Sequence, residues 1–267
     1  MEPIEPAGIA LKRLWEAGFI ERRLVMMASR STGLGYQHFV NVLTANGQRS
    51  VSPDMTRPRT ISISHQTVDH SLAINDFYVL IHRAAELHGI AVHDWLDDRQ
   101  LTAMQVKGSL KLVSIPDAFF VLAYHGRYFG HFLEIDTGTV RVGSRKRARS
   151  WTQTIANYGT YFREHYPHDG FFRGFSAPIV LTITRSNARL EHLLTATKHA
   201  GGAGVYWYTT KDQVEPIRRD AESKKVTAFE PEVLWRPIWR VLYDRAPRSL
   251  LDRLERSPNP PKRLDRV

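Results

Sequence analysis

The 267-residue sequence contains no cysteine, which excludes disulfides, cysteine nucleophiles and thiolate zinc sites and makes a reducing cytoplasm the expected compartment. No uninterrupted apolar run approaches the roughly 20 residues needed to cross a bilayer, so no membrane partner is expected. The opening Met-Glu-Pro-Ile-Glu-Pro lacks the basic and apolar regions of a secretory signal. Also missing are a phosphate loop ending in Gly-Lys-Ser/Thr, a Gly-x-Ser-x-Gly elbow and a His-Glu-x-x-His pair, and with them the nucleotide, acyl-transfer and zinc-protease chemistries these serve.

What is present is enough apolar material for a sizeable core, 42% hydrophobic with six Trp, and a formal charge of +10. A pI near 9.9 favours a polyanionic partner, and double-stranded DNA is the expected one. Arg outnumbers Lys by roughly three to one, and the guanidinium fork suits phosphate.

Along the chain, Ile9 to Ala17 has helical spacing, with Leu11, Leu14 and Trp15 on one side and Gly18 as its stop. Strand-like runs follow at Phe19–Met27 and Tyr36–Leu43, with a polar turn between them and Thr44 to Gly47 closing the second. Residues 51–68 carry Pro53 and Pro58 and read as a linker. From Asp69 to Gly89 the spacing of Leu72, Phe77, Leu80, Ile81, Ala84 and Leu87 predicts a core helix capped by Asp69 or Ser71. Asn75 and Asp76 near its start are candidate site residues. Strands are expected at Ala91–Leu96, Pro178–Thr184 and Val205–Thr209, and helices at Trp151–Tyr166 and Asn187–Ala200. The order after the linker predicts an α/β domain with a mixed sheet over residues 69–245. Residues 246–267, rich in Pro and Arg, are expected to form a disordered tail.

Within that domain, Pro116 to Asp136 holds two apolar, β-rich runs that meet at His125-Gly126. This is a two-residue hairpin signal, because Gly takes positive φ freely and His tolerates it better than most residues. The loop sets Tyr124 opposite Arg127, and counting back sets Asp117 opposite Glu134. Side chains alternate along a strand, so Asp136 shares Glu134's face. Phe119, Val121 and Phe132 fall on the acidic face, and Phe120, Leu122, Leu133 and Ile135 on the other. A hairpin apolar on both faces belongs to a sheet covered on both faces. Three carboxylates converging there repel one another by several kcal/mol unless one is protonated or a cation joins them. Oxygen ligands suit Mg²⁺ or Mn²⁺, with Asp117 and Glu134 as the metal ligands. A basic loop, Arg145, Lys146 and Arg147, lies downstream and is a candidate for the DNA backbone.

A helix before the hairpin, Pro-Asp opening its first strand, an acid closing its second and a helix and strand after it resemble the PD-(D/E)XK, or restriction-endonuclease-like, core. The wider set resembles the replication-relaxation proteins of plasmids and other mobile elements. The matching pieces are the Leu11-to-Arg22 wing entry, His70-x-Leu-Ala-Ile-Asn-Asp76, Pro116-Asp117, Glu134-Ile-Asp136-x-Gly138 and Tyr158-x-x-Tyr161. That resemblance implies a nuclease-like domain preceded by a winged helix. Residues 1–50 supply only its recognition helix and wing, a partial copy. Lys12 and Arg13 would then face DNA, and Arg22, Arg23 and Arg30 would decorate the wing. It implies a role in plasmid replication, relaxation or mobilisation, with other replication or relaxosome proteins as partners. Asp76, Asp117, Glu134 and Asp136 are the catalytic candidates.

The chain departs from the pattern at two points. A lysine is wanted two residues after the Glu, where Asp136 stands, and one turn before the Tyr, where Thr154 stands beside Gln153. The residues therefore also fit an active Mg²⁺-dependent endonuclease with a degenerate motif, or a non-catalytic regulator or relaxosome scaffold. No two His stand two apart, so the paired-His site of rolling-circle relaxases is absent. Tyr158 and Tyr161 are then expected as core or site-wall residues rather than nucleophiles.

Overall fold

A computed structural model describes residues 7–28, 35–51, 65–108, 111–138, 150–171, 175–220, 222–223 and 225–256. The chain divides into two compact units, residues 1–71 and 72–267. The first unit holds α1 (Ala7–Glu16), the antiparallel pair β1 (Ile20–Ala28) and β2 (Gly35–Leu43), and the short α2 (Ala45–Val51). Ile20 pairs with Leu43 and Arg23 with Val40, the hairpin that the strand-like runs predict. Thr44 to Gly47, expected only to close it, opens α2, with the Thr44 hydroxyl accepting from the Gly47 N–H. The apolar side of α1 stays open, with Leu14 42% and Trp15 50% exposed. Most of the expected linker, residues 52–64, lies outside the described residues.

The helix expected from Asp69 begins earlier, as α3 (His65–Leu87). The second unit continues with β3 (Ala91–Asp97), α4 (Asp98–Val106), β4 (Ala118–Tyr124), β5 (Arg127–Asp136) and α5 (Trp151–Thr160). It goes on with β6 (Ser176–Thr184), α6 (Asn187–His199), β7 (Tyr206–Thr210), the small hairpin β8 (Ile217–Arg219) and β9 (Val226–Phe229), β10 (Arg240–Val241) and α7 (Leu250–Arg256). Six strands form one mixed sheet in the order β10-β7-β6-β5-β4-β3. The β3-β4-β5 neighbours are antiparallel, β5-β6-β7 run parallel, and β10 closes the edge antiparallel to β7. The chain is thus a mixed α/β protein, and no described helix is long and apolar enough to cross a membrane.

Both sheet faces are covered, as strands apolar on both sides require. Phe77, Leu80, Ile81 and Ala84 of α3 pack with Phe120, Leu122, Leu133 and Ile135 on one face. On the other, Ile155 and Tyr158 of α5 and Leu190 and Leu193 of α6 pack with Phe119, Val121 and Phe132. Three elements differ from expectation. Helix α4 occupies a polar stretch, started by a capping box in which Asp97 accepts from the Gln100 N–H and Gln100 returns the bond. Leu101 is its one buried side chain. Trp95 is half-buried, on a strand interrupted by Asp94 at φ +48°. Helix α7 falls inside the expected tail, where Leu250 and Leu254 are fully buried against the α3 face. The remainder of that tail, residues 257–267, lies outside the described residues.

Candidate functional site

The hairpin at the sheet centre has the predicted register. Tyr124 pairs with Arg127 and Ala118 with Leu133. His125 and Gly126 take φ of +48° and +72°, the two positive values a type I′ turn needs. One residue beyond the paired strand, the Asp117 N–H donates to the Leu133 carbonyl at 3.0 Å. The Asp117 Oδ2 accepts from the Ile135 N–H at 2.7 Å. These two bonds straddle Glu134, so the acids face one another across the ladder. The place is the carboxyl end of the parallel strands β5, β6 and β7, where open α/β sheets bind their ligands.

Glu134 is only 7% exposed and lies under α5. Its Oε1 accepts from the Tyr158 hydroxyl at 2.7 Å. Tyr158 is 1% exposed; lost solvation, then the charge and hydrogen bond of Glu134, then the charge of Asp117, push its pKa well above the usual phenol value. It stands as a buried hydrogen-bond donor to Glu134 in the wall above the acids. Tyr161 is likewise raised, by burial first and by Asp169, whose carboxylate accepts its proton at 3.0 Å. Thr154, where a lysine was sought, is buried and donates to the Ser150 carbonyl within its own helix. Gln153 beside it bonds Asn157.

Asp136 does not join the other two acids. Arg189 of α6 grips it with both ends of its guanidinium, Nε to Oδ2 at 2.8 Å and Nη2 to Oδ1 at 2.9 Å. The Thr184 hydroxyl and the Gly138 N–H complete its shell. Gly138 sits at φ +84° with Arg185 so close that a Cβ would lie 2.7 Å from its Nε. This corner is a closed ion pair. Asp76 lies on α3, the helix that covers the opposite sheet face, and its charged neighbours are Lys211 and Glu215, just beyond the end of β7. Its carboxyl is shifted upward by lost solvation, with Lys211 opposing and Glu215 adding. Among the described residues, no three His, Asp or Glu side chains form a metal-holding group.

The structure thus brings Asp117 and Glu134 together, and the donor set is two carboxylates. Oxygen-only, two-carboxylate sites suit Mg²⁺ or Mn²⁺, which keep several waters when bound. Thr182 supports that fit. It pairs with Glu134 across the parallel ladder and is fully buried, and its hydroxyl has no partner. A buried hydroxyl left unbonded costs about 1–3 kcal/mol, and metal-held water beside Glu134 would satisfy it. Neither Thr182 nor Arg189 was singled out in the sequence, because each meets its acid only through tertiary structure.

Of the expected DNA contacts, Lys12 is exposed and paired with Glu16 at 3.7 Å, and Arg13 is exposed on the same helix. Arg22 lies 5.8 Å over the Trp15 ring, and Arg23 bonds Glu21 at 2.6 Å. Arg30, Arg145, Lys146 and Arg147 lie outside the described residues. In comparison with known proteins, the family model described as Replication-relaxation matches residues 5–174. No curated protein and no solved structure gives a match.

Proposed function

The chain belongs to the replication-relaxation family, and from that premise we propose that it is a DNA-binding protein of a plasmid or other mobile element, serving its replication, relaxation or mobilisation. In this proposal its second unit is a PD-(D/E)XK-like domain that holds Mg²⁺ or Mn²⁺ through Asp117 and Glu134. The observation that carries it is the register, which sets a half-buried Asp117 across from a buried Glu134 at the carboxyl edge of a parallel sheet. When bound, the metal supplies positive charge for a DNA phosphate and acidifies its own water. The protein's part is to fix both carboxylates, Asp117 through the Ile135 N–H and Glu134 through Tyr158, and to exclude water with the aromatic wall above them. The first unit, a helix and hairpin carrying Lys12, Arg13, Arg22 and Arg23, serves as a partial winged helix on the duplex.

A second reading, DNA holding without cleavage, is favoured by Asp136. At the position where a PD-(D/E)XK enzyme places its lysine, this chain has an acid already neutralised by Arg189. One experiment separates the two. Supercoiled plasmid is incubated with the protein and Mg²⁺ or Mn²⁺, alongside Glu134→Ala. Nicking that Glu134→Ala abolishes supports the endonuclease, and nicking that survives it removes the acid pair from the chemistry. Duplex affinity that falls steeply with salt supports the DNA-binding premise, which a salt-independent affinity overturns.

A further inference from the structure

A concave site whose lining shares no residue with the acid pair lies elsewhere in the second unit. It is a cavity of about 360 Å³ between Lys111, in the connection from α4 to β4, and the segment that follows α5, with Glu164, His165, His168 and Asp169. That volume falls in the range of small-ligand pockets. Its wall is unusual. Residues Tyr161–His165 form a π-helical turn and Tyr166–His168 a 3-10 turn. Single π-helical turns are rare and are often found at functional sites. Here the irregular stretch is pinned by the Tyr161 hydroxyl on Asp169 and by the Phe171 N–H on the other Asp169 oxygen.

The two acids of the cavity are therefore engaged, Asp169 by those two donors and Glu164 by Arg163 at 3.3 Å. Among the described residues the side chains of Lys111, His165 and His168 make no hydrogen bond or ion pair, and the His165 ring sits 6.4 Å from that of Tyr161. An ammonium and two imidazoles line one cavity whose buried carboxylate, Asp169, is already bonded and whose exposed one, Glu164, pairs with Arg163, and they present donors to whatever enters. We propose that this cavity is a phosphate-binding site, in which Lys111, His165 and His168 hold a phosphomonoester. The phosphate belongs either to the end of a DNA strand or to a free nucleotide. The site stands on its own residues and does not require the Asp117–Glu134 pair to bind metal.

The test is calorimetric titration of the full chain with inorganic phosphate, a deoxynucleoside 5′-monophosphate, and one duplex with either a 5′-phosphate or a 5′-hydroxyl. Lys111→Met/His168→Gln is compared with wild type, and His165→Gln serves as a second, independent variant. Phosphate affinity is expected to fall about tenfold or more in both variants, the scale of losing a charge-assisted bond, and to be unchanged in Glu134→Ala. A preference for the 5′-phosphorylated duplex that the variants lose assigns the site to a DNA end. Binding of the monophosphate with no duplex preference assigns it to a free phosphomonoester. Phosphate that does not bind, or binds equally to wild type and both variants, overturns the proposal. Because Glu134→Ala is included, failure here is distinct from failure of the acid pair.

Discussion

Tyr158 donates its hydroxyl proton to Glu134 at 2.7 Å, with neither side chain more than 7% exposed. The bond joins the first helix after the hairpin to the strand carrying the acid, and fixes how deep the carboxylate sits. Removing the donor while leaving the charge costs more than removing both. Tyr158→Phe is expected to destabilise the fold by about 1–3 kcal/mol, read as a lower denaturation midpoint. Glu134→Gln/Tyr158→Phe together should lose less than the sum of the single changes. Strict additivity would show that the bond does not couple the two.

Asp136 and Arg189 form the other buried contact at the sheet edge, with side chains 3% and 12% exposed. Breaking such a pair from one side strands a charge, at a cost of about 3–5 kcal/mol. Arg189→Met is expected to fall in that range, and Asp136→Leu/Arg189→Met to recover much of the loss. Urea denaturation decides it. If Asp136 were instead a metal-binding acid, the double variant would abolish divalent-metal binding, which the ion-pair role leaves to Asp117 and Glu134.

These two contacts mark how far the sequence could be read. The hairpin was legible to the residue, because a two-residue loop fixes register and register fixes which side chains share a face. Asp117 and Glu134 followed by counting. Asp136 was placed on the correct face but in the wrong company, since Arg189 lies 53 residues downstream and nothing local announces it. Helix α4 has no apolar periodicity, because only Leu101 is buried along it, and its one local signal is the capping-box spacing of Asp97 and Gln100. The apolar side of α1 was legible as a pattern, yet Leu14 and Trp15 remain exposed; periodicity shows which side is apolar and not what covers it.

Helix α7 yields a prediction against the expected tail. Leu250 and Leu254 have no exposed surface, the Ser249 hydroxyl caps the Trp235 carbonyl, and Arg127 donates to the Leu254 carbonyl at 2.5 Å. Leu254→Ala is expected to cost about 2–5 kcal/mol, as for other buried leucines, and truncation after residue 245 to cost more. A thermal melt unchanged by either alteration would show the segment to be dispensable for the fold.

The same helix sets a pH dependence through His131. This imidazole is fully buried on β5, stacked on Phe120 with ring centroids 4.9 Å apart. Its Nε2 lies 3.0 Å from Arg253 Nη1. A guanidinium only donates, so Nε2 must accept, and the ring is neutral with its proton on Nδ1. Burial first, then the Arg253 charge, hold its pKa well below the ordinary 6.5, with the Phe129 and Phe120 backbone opposing in smaller part. Arg253 is itself shifted down to about 10 by burial, with the neighbouring Tyr166 opposing, and stays charged throughout. In the unfolded chain His131 takes up a proton near pH 6.5, while in the folded chain it does so only at much lower pH. Between those limits the unfolded state binds more protons, so stability rises with pH and is lost as pH falls below about 6.5, by up to about 1.4 kcal/mol per unit. His131→Gln keeps an acceptor for Arg253 but cannot titrate. The wild type is therefore expected to lose stability from neutral pH towards pH 5 faster than His131→Gln, and parallel pH profiles would show that His131 makes no contribution.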